Sequence, residues 1–81
     1  MPYTYILFSE KLNKFDVGAC INLERRIYEH NIGHSKFTAT GLPWVMKYSK
    51  EFPMLKDAKV FEAKIKRMKS RKYIVDLIAQ A

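Results

Sequence analysis

The sequence predicts an α/β chain of the α+β kind: a three-stranded antiparallel sheet flanked by three helices, in the order ββαβαα. Two observations carry this. The first twenty residues hold two aromatic and β-branched runs, "YTYILFS" and "KFDVGAC", separated only by the short polar "EKLN", the pattern of a hairpin. From Leu55 onward the apolar residues fall instead at helical spacing. A small sheet covered by helices is the natural way for so few elements to bury their apolar sides.

Each element has its own signal. Strands are expected over 3–9 and 14–20, with Tyr3, Tyr5 and Leu7 on one side of the first and Thr4, Ile6 and Phe8 on the other. In the second strand Phe15 and Val17 share a side, which leaves Asp16 and Gly18 together on the opposite one. "INLERRIYEHNIG" reads as a helix with Asn22 as N-cap, Leu23 and Ile27 on its apolar face and Gly33 as its stop. "HSKFTATGLP" reads as a polar loop, and "WVMKYSKEF" (44–52) as a third strand in which Trp44, Met46 and Tyr48 alternate imperfectly with polar residues. Ala58, Phe61, Ile65 and Met68 mark the next helix; Ser70 caps the last, whose apolar face is Ile74, Leu77 and Ile78.

At 81 residues the chain is expected to be one domain, residues 1–81, small enough to bury only roughly 60–65% of its unfolded surface. No repeat, linker or low-complexity tract interrupts it. The single cysteine, Cys20, excludes an internal disulfide and points to a reducing, cytoplasmic setting. "YTYILF" is too short to cross a membrane and lacks the flanks of a signal peptide, so no membrane association is expected. Nothing in the pattern fixes the oligomeric state.

Charge narrows the function. The chain carries +7, and the segment from Lys56 to Lys72 holds eight basic against two acidic residues, a net +6. That density is the footprint of a polyanion binder, with nucleic acid the commonest partner, set against the plainer reading of a solvated helix face.

The residues able to do chemistry are few. Asn22, Arg26 and His30 recur every four residues as one polar stripe, and a guanidinium on a rigid helix is well suited to grip a phosphate. Arg25 and Glu29 can pair along the same helix. His30 reads either as an acid–base group or phosphate contact, or as an ordinary histidine favoured at a helix C-terminus. Gly18 marks either a close approach by a ligand or backbone, or a bulge. "HNIGH" sets His30 and His34 at zinc-like spacing, but the helix is expected to stop at Gly33 and no cysteine or acidic cluster completes a site. Glu62 is either the salt-bridge partner of Lys66 or a single-carboxylate ligand of Mg²⁺, which often keeps water and substrate phosphate as its other ligands.

Taken together, these residues resemble the GIY-YIG nuclease family in its small stand-alone bacterial form, over nearly the whole chain. "YTYIL" resembles the first motif, whose closing tyrosine falls on Tyr5 and whose preceding apolar position is filled by Thr4. "FDVG" resembles the end of the second motif, closing on Gly18, with Asp16 where that motif places tyrosine. "NLERRIYEHN" is similar to the helix bearing the family's catalytic arginine, here Arg26, and its following histidine or tyrosine, here His30. "KFT", "LPW" and "KEF" resemble connecting segments, and "AKVFEAKIKRMKSRKYI" the helix whose metal-binding glutamate falls on Glu62. The family's later asparagine has no counterpart in "KYIVDLIAQA".

The resemblance implies an endonuclease that hydrolyses DNA phosphodiesters with Mg²⁺ or another divalent cation such as Mn²⁺, and a catalytic set of Tyr5, Asp16, Arg26, His30 and Glu62. Lys36, Lys66, Arg67, Lys69, Arg71 and Lys72, with the backbone at Gly18, would hold the DNA. The alternative is a DNA-binding module that keeps the fold without the chemistry. Asp16 admits three readings: an inactivating change, natural or engineered; a change tolerated because Tyr5 suffices as base; or a second metal ligand. Like charge beside the phosphate makes impaired cleavage with DNA binding partly kept the expected consequence.

Overall fold

The structure, a computed structural model, describes residues 1–33 and 35–80. His34, and with it the His30–His34 pair considered for zinc, lies outside the described residues. Strands β1 (Tyr3–Ser9) and β2 (Lys14–Cys20) form the hairpin, and β3 (Trp44–Glu51) pairs antiparallel on the far side of β1. The sheet order β2-β1-β3 leaves β2 as an edge strand. The helices are α1 (Leu23–Asn31), α2 (Lys36–Thr40), α3 (Leu55–Met68) and α4 (Arg71–Gln80).

The caps follow the residues that suggested them. The Asn22 side chain accepts from the Arg25 backbone N–H, and Gly33 follows the end of α1 at φ 71°, a left-handed conformation that glycine adopts at little cost. Ser70 Oγ accepts the Tyr73 N–H at 3.2 Å to start α4.

The sheet separates two cores. On one face Tyr5, Leu7, Cys20 and Trp44 pack with Leu23 and Ile27 of α1. On the other, Ile6, Val17 and Ile65 pack with Phe61 of α3 and with Tyr73, Ile74, Leu77 and Ile78 of α4. Burying a side chain such as Ile6 or Ile65 contributes about 1.5–3 kcal/mol. Thr4 faces the second core, and its hydroxyl donates to the Ala58 carbonyl of α3 at 2.6 Å. That bond explains how a polar residue occupies the apolar position before Tyr5.

Three expectations change. The polar loop contains α2, a single turn held by a reciprocal Ser35–Thr38 capping box and by Trp44, whose indole N–H donates to the Thr38 carbonyl at 2.9 Å. Strand β3 carries a register shift opposite Ile6 and Leu7, so that Leu7 faces Met46 while Ile6 faces Tyr48. The extra residue turns Trp44 and Met46 to one core and Tyr48 to the other, which is why their alternation looked imperfect. Met68, placed on the apolar stripe of α3, is exposed, because it is the last residue before the left-handed turn at Lys69.

Candidate active site

Edge strand β2 runs along a cleft of about 570 Å³, lined among others by Tyr5, Asp16, Gly18, Arg26, His30, Glu62 and Lys66. Arg26 comes from α1 on one face of the sheet and Glu62 from α3 on the other, and the two meet around the β2 edge. An interior strand would have kept them apart.

Gly18 and Tyr5 sit directly opposite each other in an unshifted register, so Gly18 is no bulge. A Cβ at position 18 would overlap the Tyr5 hydroxyl: the group that comes close is this protein's own phenol. Arg26 Nη1 donates to that phenol oxygen at 3.3 Å. Burial pushes the Tyr5 hydroxyl up to about 12 despite the pull of Arg26, so it is protonated near neutral pH and its O–H is available to donate. Burial also opposes the charge on Arg26, but Tyr5, Cys20 and Glu29 outweigh it and the net direction is upward. Glu29 lies 3.5 Å from Arg26 Nε and 3.4 Å from Arg25 Nε.

Asp16 points to His30. Its Oδ2 lies 2.6 Å from Nε2 of the imidazole, while Nδ1 lies 3.0 Å from the Arg26 carbonyl oxygen. His30 is therefore not on an exposed polar stripe. It is 7% exposed, with Tyr5 and Trp44 edge-on to its ring at 6.2 and 5.8 Å. The carboxylate that sequence reasoning set against the phosphate has a partner in the wall of the cleft.

Glu62 Oε2 accepts from Lys66 Nζ at 2.6 Å. Among the described residues no group of three or more His, Cys, Asp or Glu side chains is placed to hold a metal. One carboxylate of which the side chain is 22% exposed, in a cleft that Arg26 also lines, suits a hard cation that takes its remaining ligands from water and phosphate oxygen. The lysine contact is an intrahelical pair at the surface, of a kind that stabilises little.

The expected DNA contacts divide. Lys66 lines the cleft, and Lys69 and Arg71 line an adjoining pocket that shares Asp16, Val17 and Lys66 with it. Arg71 is engaged in the fold: it donates to the Asn13 carbonyl at 2.9 Å and side-chain oxygen at 2.8 Å, and its guanidinium stacks 5.0 Å above the Phe15 ring. Lys72 pairs with Asp76 at 2.9 Å. Lys36 and Arg67 are exposed on α2 and α3. Sequence reasoning missed Ser35, Phe37 and Thr38, which line the cleft from α2; the Ser-x-x-Thr spacing of a helix start was the available signal.

This arrangement has a counterpart among known families. The GIY-YIG catalytic domain profile matches residues 1–74. The chain belongs to the GIY-YIG family. A GIY-YIG domain supports a nuclease-type function, which implies a nucleic acid substrate. The fold is similar to the solution NMR structure of the UPF0213 protein BH0048 from Bacillus halodurans, at a TM-score of 0.61 and 28% identity over 99% of this chain and 85% of that one. A search of curated proteins found no match. No helix among the described residues of this GIY-YIG protein is long and apolar enough to cross a membrane.

Proposed function

We propose that this chain is a divalent-metal-dependent endonuclease that hydrolyses DNA phosphodiesters in the β2-edge cleft. The observation that carries the reading is the meeting of Arg26 and Glu62, from opposite faces of the sheet, in one cleft with Tyr5. Arg26 pairs with the non-bridging oxygens of the phosphate and stabilises the charge that grows on them. Tyr5 accepts from Arg26 and donates its own O–H to the phosphate. Glu62 would hold Mg²⁺ or Mn²⁺, which supplies Lewis-acid polarisation of the phosphoryl group and assistance to the leaving oxygen. Lys66 and Lys69, with Lys36 and Arg67, contact the DNA backbone without reading bases. The single cysteine, Cys20, buried and in no disulfide, fits a cytoplasmic setting.

The expected impairment by Asp16 rested on an uncompensated carboxylate beside the phosphate. Its pairing with His30 supports a competent site. A non-catalytic DNA-binding module is the second reading, favoured by the Lys66 contact on Glu62. Incubation with plasmid and single-stranded DNA, in Mg²⁺ or in EDTA, separates the two. The endonuclease reading expects cleavage only with the metal and a loss of about 10²–10³-fold in Arg26→Ala. The binding-module reading expects no cleavage in either condition and DNA affinity unchanged by Glu62→Ala.

A further inference from the structure

The Arg26 carbonyl oxygen can only accept, so the His30 nitrogen 3.0 Å from it, Nδ1, carries a hydrogen. With that tautomer fixed, a neutral imidazole would turn the Nε2 lone pair toward Asp16 Oδ2 at 2.6 Å, lone pair against lone pair. A hydrogen between them turns the contact into a bond in which Nε2 donates and Oδ2 accepts. His30 is immobilised by burial and by its two aromatic neighbours, whereas the Asp16 side chain is 29% exposed and lines the cleft. The charged and titratable groups around the pair are Tyr5 from β1, Arg26 and Glu29 from α1, and Glu62 and Lys66 from α3, with Lys14 and Lys69 in the adjoining pocket. Of the other oxygens in the cleft, the Tyr5 phenol, raised further by burial, stays protonated near neutral pH, Glu29 lies against Arg25 and Arg26, and Glu62 accepts from Lys66.

We infer that Asp16, held by His30 at one carboxylate oxygen, is the group that accepts the proton of the attacking water. The inference rests on the endonuclease reading above. As the water oxygen bonds to phosphorus, its proton passes to Asp16 Oδ1. The phosphorus–ester oxygen bond breaks, and the departing oxygen takes a proton from solvent water. Asp16 then returns its proton to solvent. Throughout, His30 Nε2–H holds Oδ2, which aims the other oxygen at the cleft; His30 is a positioning residue and Asp16 a catalytic one.

The test compares wild type, Asp16→Asn, His30→Gln, the double variant and Arg26→Ala in cleavage and in metal-free DNA binding. Asp16→Asn is expected to lower kcat by about 10²–10⁴-fold, with KM, DNA affinity and the Mg²⁺ dependence kept within about twofold. His30→Gln, which frees the carboxylate to turn toward the phosphate, is expected to weaken DNA binding about fivefold at low salt, and the double variant to recover it. Nitrogen-15 spectra of the wild-type imidazole should show hydrogen on Nδ1. Cleavage by Asp16→Asn within threefold of wild type, with Arg26→Ala inactive, overturns this inference and leaves the endonuclease reading standing. A shift of about tenfold or more in Mg²⁺ dependence makes Asp16 a metal ligand and overturns it as well. A hydrogen-free Nδ1 does the same, and a wild-type protein inert with Mg²⁺ ends both readings.

Discussion

The tyrosine that closes the first motif is bound to the glycine that closes the second by a steric contact and to the arginine by a hydrogen bond. Tyr5 is 2% exposed, and its ring lies where a side chain at position 18 would be. Gly18→Ala must therefore displace the phenol from Arg26. We expect it to cost about 1–3 kcal/mol, the usual range for overpacking, and to depress cleavage as well; urea denaturation and a cleavage assay on one preparation read both. The same burial gives a pH signature. The Tyr5 hydroxyl is raised from 10.0 to about 12, so between those values the unfolded chain gives up a proton that the folded chain keeps. Stability from this group is fully present below pH ~10 and is lost as pH rises toward ~12, by a limit of about 2–3 kcal/mol. Denaturation curves at pH 9 and 11.5 should show a steeper loss for wild type than for Tyr5→Phe, which lacks the group. Equal losses would mean that the phenol is solvated in the folded protein.

At the scale of elements, what was legible in the sequence is what repeats. The two strands of the hairpin, α1 with its Asn22 cap and α4 with its Ser70 cap declare themselves by period and by cap residues. The turn α2 does not, because five residues are too few to show a 3.6-residue period, and its stability comes from Trp44 and from a capping box rather than from a stripe. Strand β3 was half legible: its existence follows from its residue types, but the register shift opposite Ile6 and Leu7 moves every later side chain to the other face. In the site, the sequence supplied the cast of residues but not the pairing of Asp16 with His30, which are fourteen positions apart and meet only once α1 folds over β2. The hairpin turn shows how an element is secured from a distance. Asn13 sits at φ 53°, and Arg71 at the start of α4 holds both its oxygens while lying over Phe15. Arg71→Ala is expected to cost about 1–2 kcal/mol through these contacts and to speed amide exchange in residues 10–13. An Arg71→Ala protein with wild-type turn exchange and only weaker DNA binding would make this arginine a DNA contact and not a staple.

Across the whole molecule, the net +7 is concentrated on α3, α4 and the turn joining them, the same side that presents Glu62 to the cleft. DNA affinity should therefore fall on the order of a hundredfold or more between 50 and 200 mM salt, as for a protein touching several phosphates; a flat salt response would remove the backbone-contact model. On the endonuclease reading charge brings the DNA in, but cleavage would need the two faces of the sheet in fixed relation, since Arg26 and Glu62 arrive from opposite sides of it. The link between β1 and α3 is the buried bond from Thr4 Oγ1 to the Ala58 carbonyl at 2.6 Å. In an α-helix that carbonyl is also the acceptor for the N–H four residues on, which belongs to Glu62, so the bond grips the turn that carries the carboxylate. Thr4 stands next to Tyr5, whose phenol meets Arg26; one short stretch of β1 thus references both halves of the cleft. Thr4→Val keeps the shape and removes the donor, while Ala58 retains its helical partner, so the stability cost should be modest, about 1 kcal/mol. The effect on function should be selective: released from β1, the Glu62 turn shifts by a fraction of an ångström, which lowers kcat and raises the Mg²⁺ requirement while metal-free DNA affinity stays within about twofold. Cleavage unchanged in Thr4→Val would show that packing of Ile65 and Phe61 alone positions the carboxylate.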